Sequence, residues 1–213
     1  MIRALLKKTR LYGPLRTIRD AARYYSLLRR WKLDGCPIPP SNALKHATVI
    51  AYRRQFRSNV LVETGTFHGE MVYAMKGRFA DVYSIELCPD LYQKAKQFFA
   101  PYSNVHIYNG DSAEVLRSVL PQITGRLLFW LDAHYSGPGT ACGALETPIM
   151  QELEVLFTAV KNCVILIDDA RCFNGTNSYP NLVDLKKYID SKAPSWIFEV
   201  NHDIICIHPP LCY

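Results

Sequence analysis

Short apolar runs alternate along this chain with stretches of helical period. Val60-Leu61-Val62, Val82-Tyr83-Ser84-Ile85, Val105-His106-Ile107-Tyr108, Leu127-Leu128-Phe129-Trp130-Leu131 and Val164-Ile165-Leu166-Ile167 have strand length. The last two are continuously apolar, as expected for strands buried on both faces. Segments between them read as helices: Glu70 to Arg78, Pro89 to Phe99, Glu114 to Leu120, and Leu182 to Ile189. One more enters through Thr147-Pro148, with Thr as cap and Pro in the first turn. Trp196 to Val200 and Asp203 to His208, joined through Asn201-His202, read as a β-hairpin. Strand–helix alternation followed by a hairpin predicts an α/β fold, a doubly wound sheet of seven strands with an antiparallel end.

The first 58 residues have a different pattern. Leu15, Ile18, Ala22, Tyr25 and Leu28 recur every three or four positions and predict one apolar helix face. Cys36-Pro37-Ile38-Pro39-Pro40 breaks that helix and predicts a stiff connection, and Ser41 to Phe56 forms a second helix. The chain therefore divides into a basic helical extension or lid, 1–58, and a sheet domain, 59–213. Charge follows this division. Through Gly35 there are ten basic residues and two acids, a balance of +8, so the total of +6 belongs to the N-terminus. Such a helix can lie on an anionic membrane surface, on nucleic acid or on an acidic partner. The plainer reading packs it on the core or on a second copy of the chain, with its arginines in solvent. A lid that binds an anionic substrate is a third.

Composition narrows the setting. At 213 residues and 49% hydrophobic content the chain has material for one sizeable core. No stretch is apolar enough to span a bilayer, and Met1 to Arg10 lacks the pattern of a secretory signal. Seven cysteines are scattered without a Cys-x-x-Cys pair, which fits a reducing cytosol and argues against structural zinc. Cys88, Cys163 and Cys206 read as buried thiols. The expected location is cytoplasmic, with peripheral membrane contact through the first helix kept open.

The chemistry gathers at the predicted strand ends. After the first strand comes Glu63-Thr64-Gly65-Thr66-Phe67-His68-Gly69. Gly65 and Gly69 allow close backbone approach to a ligand. An acid at this turn would repel a pyrophosphate but suits a ligand carrying an ammonium and a sulfonium. Glu86 ends the second strand, about 20 residues after the glycines, where an acid can accept from both ribose hydroxyls. Asp111 and Ser112 follow the third strand. Asp111 can accept from an adenine amino group, and either residue can instead cap the next helix. Asp132 ends the fourth strand and Asp168-Asp169 the fifth. His134 lies two residues beyond Asp132 and can take up a proton near neutral pH. Arg171 stands beside the aspartate pair, able to bind an anion or neutralise Asp168. No Gly-x-Gly-x-x-Gly fingerprint and no phosphate loop is present.

From Asn59 to His208 the chain resembles the class I S-adenosylmethionine-dependent methyltransferases, through Glu63 to Gly69, Ser84-Ile85-Glu86-Leu87, Asn109 to Ser112, Leu131-Asp132-Ala133-His134 and Ile167-Asp168-Asp169-Ala170. The last two motifs resemble those of metal-dependent O-methyltransferases such as the catechol and macrocin enzymes. The resemblance implies a Rossmann-like sheet and assigns Glu63, Gly65, Thr66, Phe67, Gly69, Glu86, Asp111 and Ser112 to the cofactor. It assigns Asp132, Asp168 and Asp169 to a divalent cation, expected to be Mg2+. His134, with Asp132, is the catalytic candidate, as general base or as an outer partner of the metal. A plain loop histidine is the alternative, and each aspartate could instead cap or bridge a loop.

The expected reaction is methyl transfer from S-adenosylmethionine to a hydroxyl of a small molecule, with a sugar or natural product as family-based candidates. Asp132-Ala133-His134-Tyr135 replaces the Pro-Pro-aromatic signature of many nucleic-acid amine methyltransferases, so a nucleic-acid substrate is not expected. Two alternatives stay open: a metal-independent enzyme on the same fold, and a non-catalytic module that binds membranes or partners through its basic segment. A homo-oligomer is compatible with both.

Overall fold

The structure is a computed structural model, and it describes residues 12–133 and 147–211. Seven strands form one sheet: β1 (Val60–Thr64), β2 (Asp81–Glu86), β3 (Val105–Asn109), β4 (Leu127–Leu131), β5 (Cys163–Ile167), β6 (Ile197–Asn201) and β7 (Ile204–His208). Their order is β3-β2-β1-β4-β5-β7-β6. The first five are parallel, and β7 runs antiparallel between β5 and β6. The hairpin thus inserts its last strand next to β5, which brings the turn at His202-Asp203 back to the sheet's ligand-binding edge.

Helices cover both faces. On one side Val60, Val62, Phe129, Leu131 and Ile165 pack against α5 (Ser112–Val119), α6 (Ile149–Ala159) and α7 (Leu182–Lys192). On the other, Leu61, Leu128, Trp130, Val164 and Leu166 pack against α2 (Asn42–Gln55), α3 (Glu70–Met75) and α4 (Pro89–Phe99). Alternate residues of β1, β4 and β5 serve opposite layers, which is why these strands read as unbroken apolar runs. Burying a side chain of this kind contributes about 1.5–3 kcal/mol relative to exposure. Val49 and Tyr52 of α2 lie in this core, so the second helix is a wall of the sheet domain. Cys163 and Cys206 are buried as expected, whereas Cys88 is only half-buried.

The first helix, α1 (Tyr12–Leu33), docks through a different face from the expected one. Ile18 and Tyr25 are 67% and 68% exposed, and Ala22 is exposed too. Asp20 is buried instead, held by Arg54 of α2 and Arg78. Arg54 also donates to the Thr17 carbonyl at 2.8 Å. Further along, Trp31 packs on His202 with ring centroids 5.0 Å apart. A buried acid between two guanidinium groups overrides the apolar periodicity, because an unpaired buried charge would be too costly. Arg19, Arg23, Arg29 and Arg30 stay in solvent. Among the described residues no helix is long and apolar enough to cross a membrane.

Candidate active site

Strand register builds the site. Thr64, Leu131 and Ile167 stand abreast on β1, β4 and β5. The ladder runs one residue further, with Asp132 N–H donating to the Thr64 carbonyl and Asp168 N–H to that of Leu131, both at 3.0 Å. Gly65, Asp132 and Asp168 therefore form a row at the carboxyl edge, where ligands bind in open α/β sheets. Gly65 is required by the protein itself: at φ +85° it would direct a Cβ onto the Asp132 carbonyl. Gly69, at φ +73°, would place one 2.7 Å from the Phe99 ring.

One end of the row holds carboxylates on neutral donors. Glu63 and Ser84 face each other across β1 and β2, and the Ser84 hydroxyl donates to Glu63. Thr66 Oγ1 lies 2.6 Å from Ser84 Oγ and extends the chain. Burial raises Glu63 well above the usual carboxylate range, and Asp132 and Glu86 push the same way against the Ser84 hydrogen bond. Glu86 is pinned at both oxygens: Oε2 accepts from Phe67 N–H and Oε1 from Cys88 N–H, each at 2.8 Å. Phe67 takes φ 47° to make that contact, and its ring is 48% exposed. Asp111 is the N-cap of α5, its side chain accepting from Glu114 N–H at 3.1 Å. Ser112 is buried in the first turn.

The other end holds carboxylates on cations. Asp168 is buried, and one of its oxygens accepts from Lys45 Nζ of α2. Its second oxygen accepts from Asp169 N–H at 2.9 Å. Asp169, at φ 56°, accepts from Arg171 at 2.7 Å and lies 3.8 Å from Lys45 Nζ. Arg171 also binds buried Asp203 from the hairpin turn. Arg171 therefore pairs with both Asp169 and Asp203, while Lys45 pairs with Asp168. Burial, then Asp132, pushes Asp168 up to about 7. Burial works against the Lys45 charge, but Asp168 outweighs it, and the ammonium is held above the ordinary lysine range. The two directions are compatible because the carboxylate crowding Asp168 is Asp132.

The row places Asp132 beside Asp168, and Asp169 follows Asp168 in the chain. His134 lies outside the described residues. Three residues come from the tertiary structure. Lys45 carried one signal, a lysine in the first turn of a helix. Asp203 carried none beyond its place in a turn. Glu152 was visible as the one acid among Ile149, Leu153 and Leu156 on the buried face of α6. Burial lifts it to about 7, softened by the nearby Ser112 and Thr64 hydroxyls. Glu152 Oε1, Ser112 Oγ and Thr64 Oγ1 complete no hydrogen bond.

Among the described residues, Asp168, Asp169 and Asp203 pair with Lys45 and Arg171, and Asp132 stands close enough to Asp168 to raise it. An oxygen-only donor set is the type that magnesium-like ions take. Among the described residues, however, no three such side chains are already arranged to hold a metal ion.

No protein-family model matches this chain, and no curated protein matches it by sequence. Solved structures do match by fold. A putative caffeoyl-CoA O-methyltransferase from Staphylococcus aureus aligns with a TM-score of 0.58 at 17% identity, over 87% of this chain and 91% of its own. The O-methyltransferase TomG from Streptomyces achromogenes, in complex with SAM, gives 0.56 at 12%, over 88% and 90%. The SAH-bound methyltransferase PaMTH1 from Podospora anserina gives 0.55 at 16%, over 90% and 87%. The fold is that of the class I S-adenosylmethionine-dependent methyltransferases. The likeness is one of fold, and several of the solved structures that share it are O-methyltransferases.

Proposed function

We propose that this protein transfers the methyl group of S-adenosylmethionine to a hydroxyl of a small molecule. The observation that carries this reading is Glu86 at the end of β2, both of its oxygens held by the Phe67 and Cys88 amides beside the glycine turn. A carboxylate oriented by neutral donors keeps its charge for ribose hydroxyls. Glu63 lies one strand over, next to Gly65, and suits the cationic methionine end. In the transfer the sulfur–methyl bond breaks with its electron pair left on sulfur. The acceptor oxygen forms the new bond to carbon and loses its proton to a base, for which His134 is our candidate. Asp132, Asp168 and Asp169 are the residues that would hold a divalent cation, which supplies Lewis-acid activation of the hydroxyl when bound. Alignment of acceptor and methyl group is the main task of the remaining residues. A second reading, transfer without metal, is favoured by Lys45, which already brings a positive charge to Asp168.

Calorimetric titration with S-adenosylmethionine and S-adenosylhomocysteine, with and without magnesium, tests the proposal. Micromolar binding of both is expected. Glu63→Gln should weaken the sulfonium form more than the neutral thioether form, by about tenfold, or ~1.4 kcal/mol. Absence of binding by the unaltered protein would remove the methyltransferase reading.

A further inference from the structure

The first helix is fastened by one face and leaves the opposite face unpartnered. Asp20, Tyr24, Leu27 and Trp31 recur every three or four positions on the docked side. Asp20 is bound by Arg54 and Arg78, Tyr24 and Trp31 pack on His202, and Trp31 Nε1 donates to the Pro37 carbonyl at 2.8 Å. These contacts hold α1 without any help from its outer side. Yet that side is apolar. Ile18, Ala22, Tyr25 and Leu33 share it at helical spacing, and Ile18, Tyr25 and Leu33 are 67%, 68% and 74% exposed. Single apolar residues on a surface are ordinary, but a row about 22 Å long along one helix is not. The row lies among cations. Arg19 and Arg30 run along one flank, Lys32 borders the other, and Arg29 stands between Tyr25 and Leu33, all of them exposed. Asp20, the acid of this helix, faces inward, and Asp34 just beyond its end forms an exposed pair with Arg30.

We infer that this outer face of α1 docks on the surface of a lipid bilayer with anionic headgroups and holds the protein there peripherally. Charge and apolarity together select that partner. A bilayer offers phosphate groups to Arg19, Arg29, Arg30 and Lys32 and hydrocarbon to Ile18, Tyr25 and Leu33, in one plane and along the whole row. Arg29, inside the row, reaches headgroups with its guanidinium while its stem stays among apolar groups. A two-fold interface with a second copy would instead set these cations against one another. A nucleic acid would satisfy the cations but give the aliphatic Ile18 and Leu33 no partner. The first 35 residues carry a balance of +8, so attraction to an anionic surface is concentrated at this end of the chain.

The test is co-sedimentation of the full chain with vesicles of equal parts phosphatidylcholine and phosphatidylglycerol, against phosphatidylcholine alone. The unaltered protein should bind the anionic vesicles at least about tenfold more tightly than the neutral ones, and rising salt should weaken that binding. Ile18→Ser, Tyr25→Ser and Leu33→Ser together keep every charge and should weaken binding to anionic vesicles by at least about tenfold. Arg19→Gln with Arg29→Gln keeps the apolar row and should bring anionic binding down towards the neutral level. These side chains are all exposed, so thermal unfolding should not move, which is the control for an intact fold. No vesicle binding, or equal binding to both compositions, by the unaltered protein overturns the inference. Anionic binding that survives the serine substitutions also overturns it, leaving diffuse attraction to the basic segment. Binding to a single-stranded RNA oligonucleotide but not to vesicles, lost in the arginine variant and kept in the serine variant, assigns the face to nucleic acid instead. A dimer that the serine variant dissolves, without vesicle binding, assigns it to a second copy of the chain.

Discussion

The two ends of the site solve the same problem in opposite ways. Each gathers carboxylates at the sheet's edge. At the Glu63–Glu86 end the donors are a serine hydroxyl and two backbone amides, all neutral. At the Asp168–Asp169 end a lysine and an arginine join the Asp169 N–H. Neutral donors orient Glu86 without pairing its charge, while burial favours the protonated form of Glu63, which a cationic ligand would reverse. Cationic donors offset carboxylate charge, so the other end is less attractive to a further cation. Strand position alone would have made the two groups look equivalent. Their partners separate them.

The largest expected effect tests whether the two ends are mechanically joined. Gly65→Ala would drive a methyl into the Asp132 carbonyl from a left-handed backbone position. We expect a loss of about 2–4 kcal/mol in stability, together with loss of cofactor binding. Thermal unfolding and calorimetry measure both. An unperturbed variant would mean that the ends are independent.

A smaller effect comes from Glu152, which lies between the ends with no hydrogen bond to Oε1. Its carboxyl is raised from the usual range to about 7 in the folded protein. A raised folded pKa favours the folded state when the group is protonated. The resulting stability is fully present below about pH 4.5 and is lost as pH rises through about 7, a swing of about 3 kcal/mol. Asp168, also raised to about 7, acts in the same direction. Glu152→Gln stays neutral throughout, so its melting temperature should fall less than that of the unaltered protein between pH 5 and pH 8. Parallel pH profiles would show that Glu152 is not held in its raised state.

The smallest effect separates backbone from side chain. Phe67 serves Glu86 through its N–H, while its ring is half exposed. Phe67→Ala should change stability by less than about 0.5 kcal/mol. Cofactor affinity should fall by less than about threefold, or ~0.7 kcal/mol. A larger loss in titration would assign the ring itself to the ligand.

Much of this molecule was legible in its sequence because local chemistry repeats with a period. The apolar runs marked five parallel strands, and the hairpin was readable from two runs around Asn201-His202. Strand ends could be read as well, which is why Asp132 and Asp168 were identified as neighbours. The first helix was misread for a physical reason: periodicity ranks faces by apolarity, and the face that docks carries Asp20. Only Arg54 and Arg78, 34 and 58 residues away, make that face the buried one.

The same distinction holds at the site. Sequence by itself determined which backbone positions reach the sheet's edge, since register and alternation follow from hydrogen bonding between neighbouring strands. It could not determine the charge state of that edge. Asp168 meets a lysine 123 residues away, and Asp169 shares its arginine with an acid from the hairpin turn. Electrostatic partners are chosen by distance in space, and only the tertiary structure sets that distance.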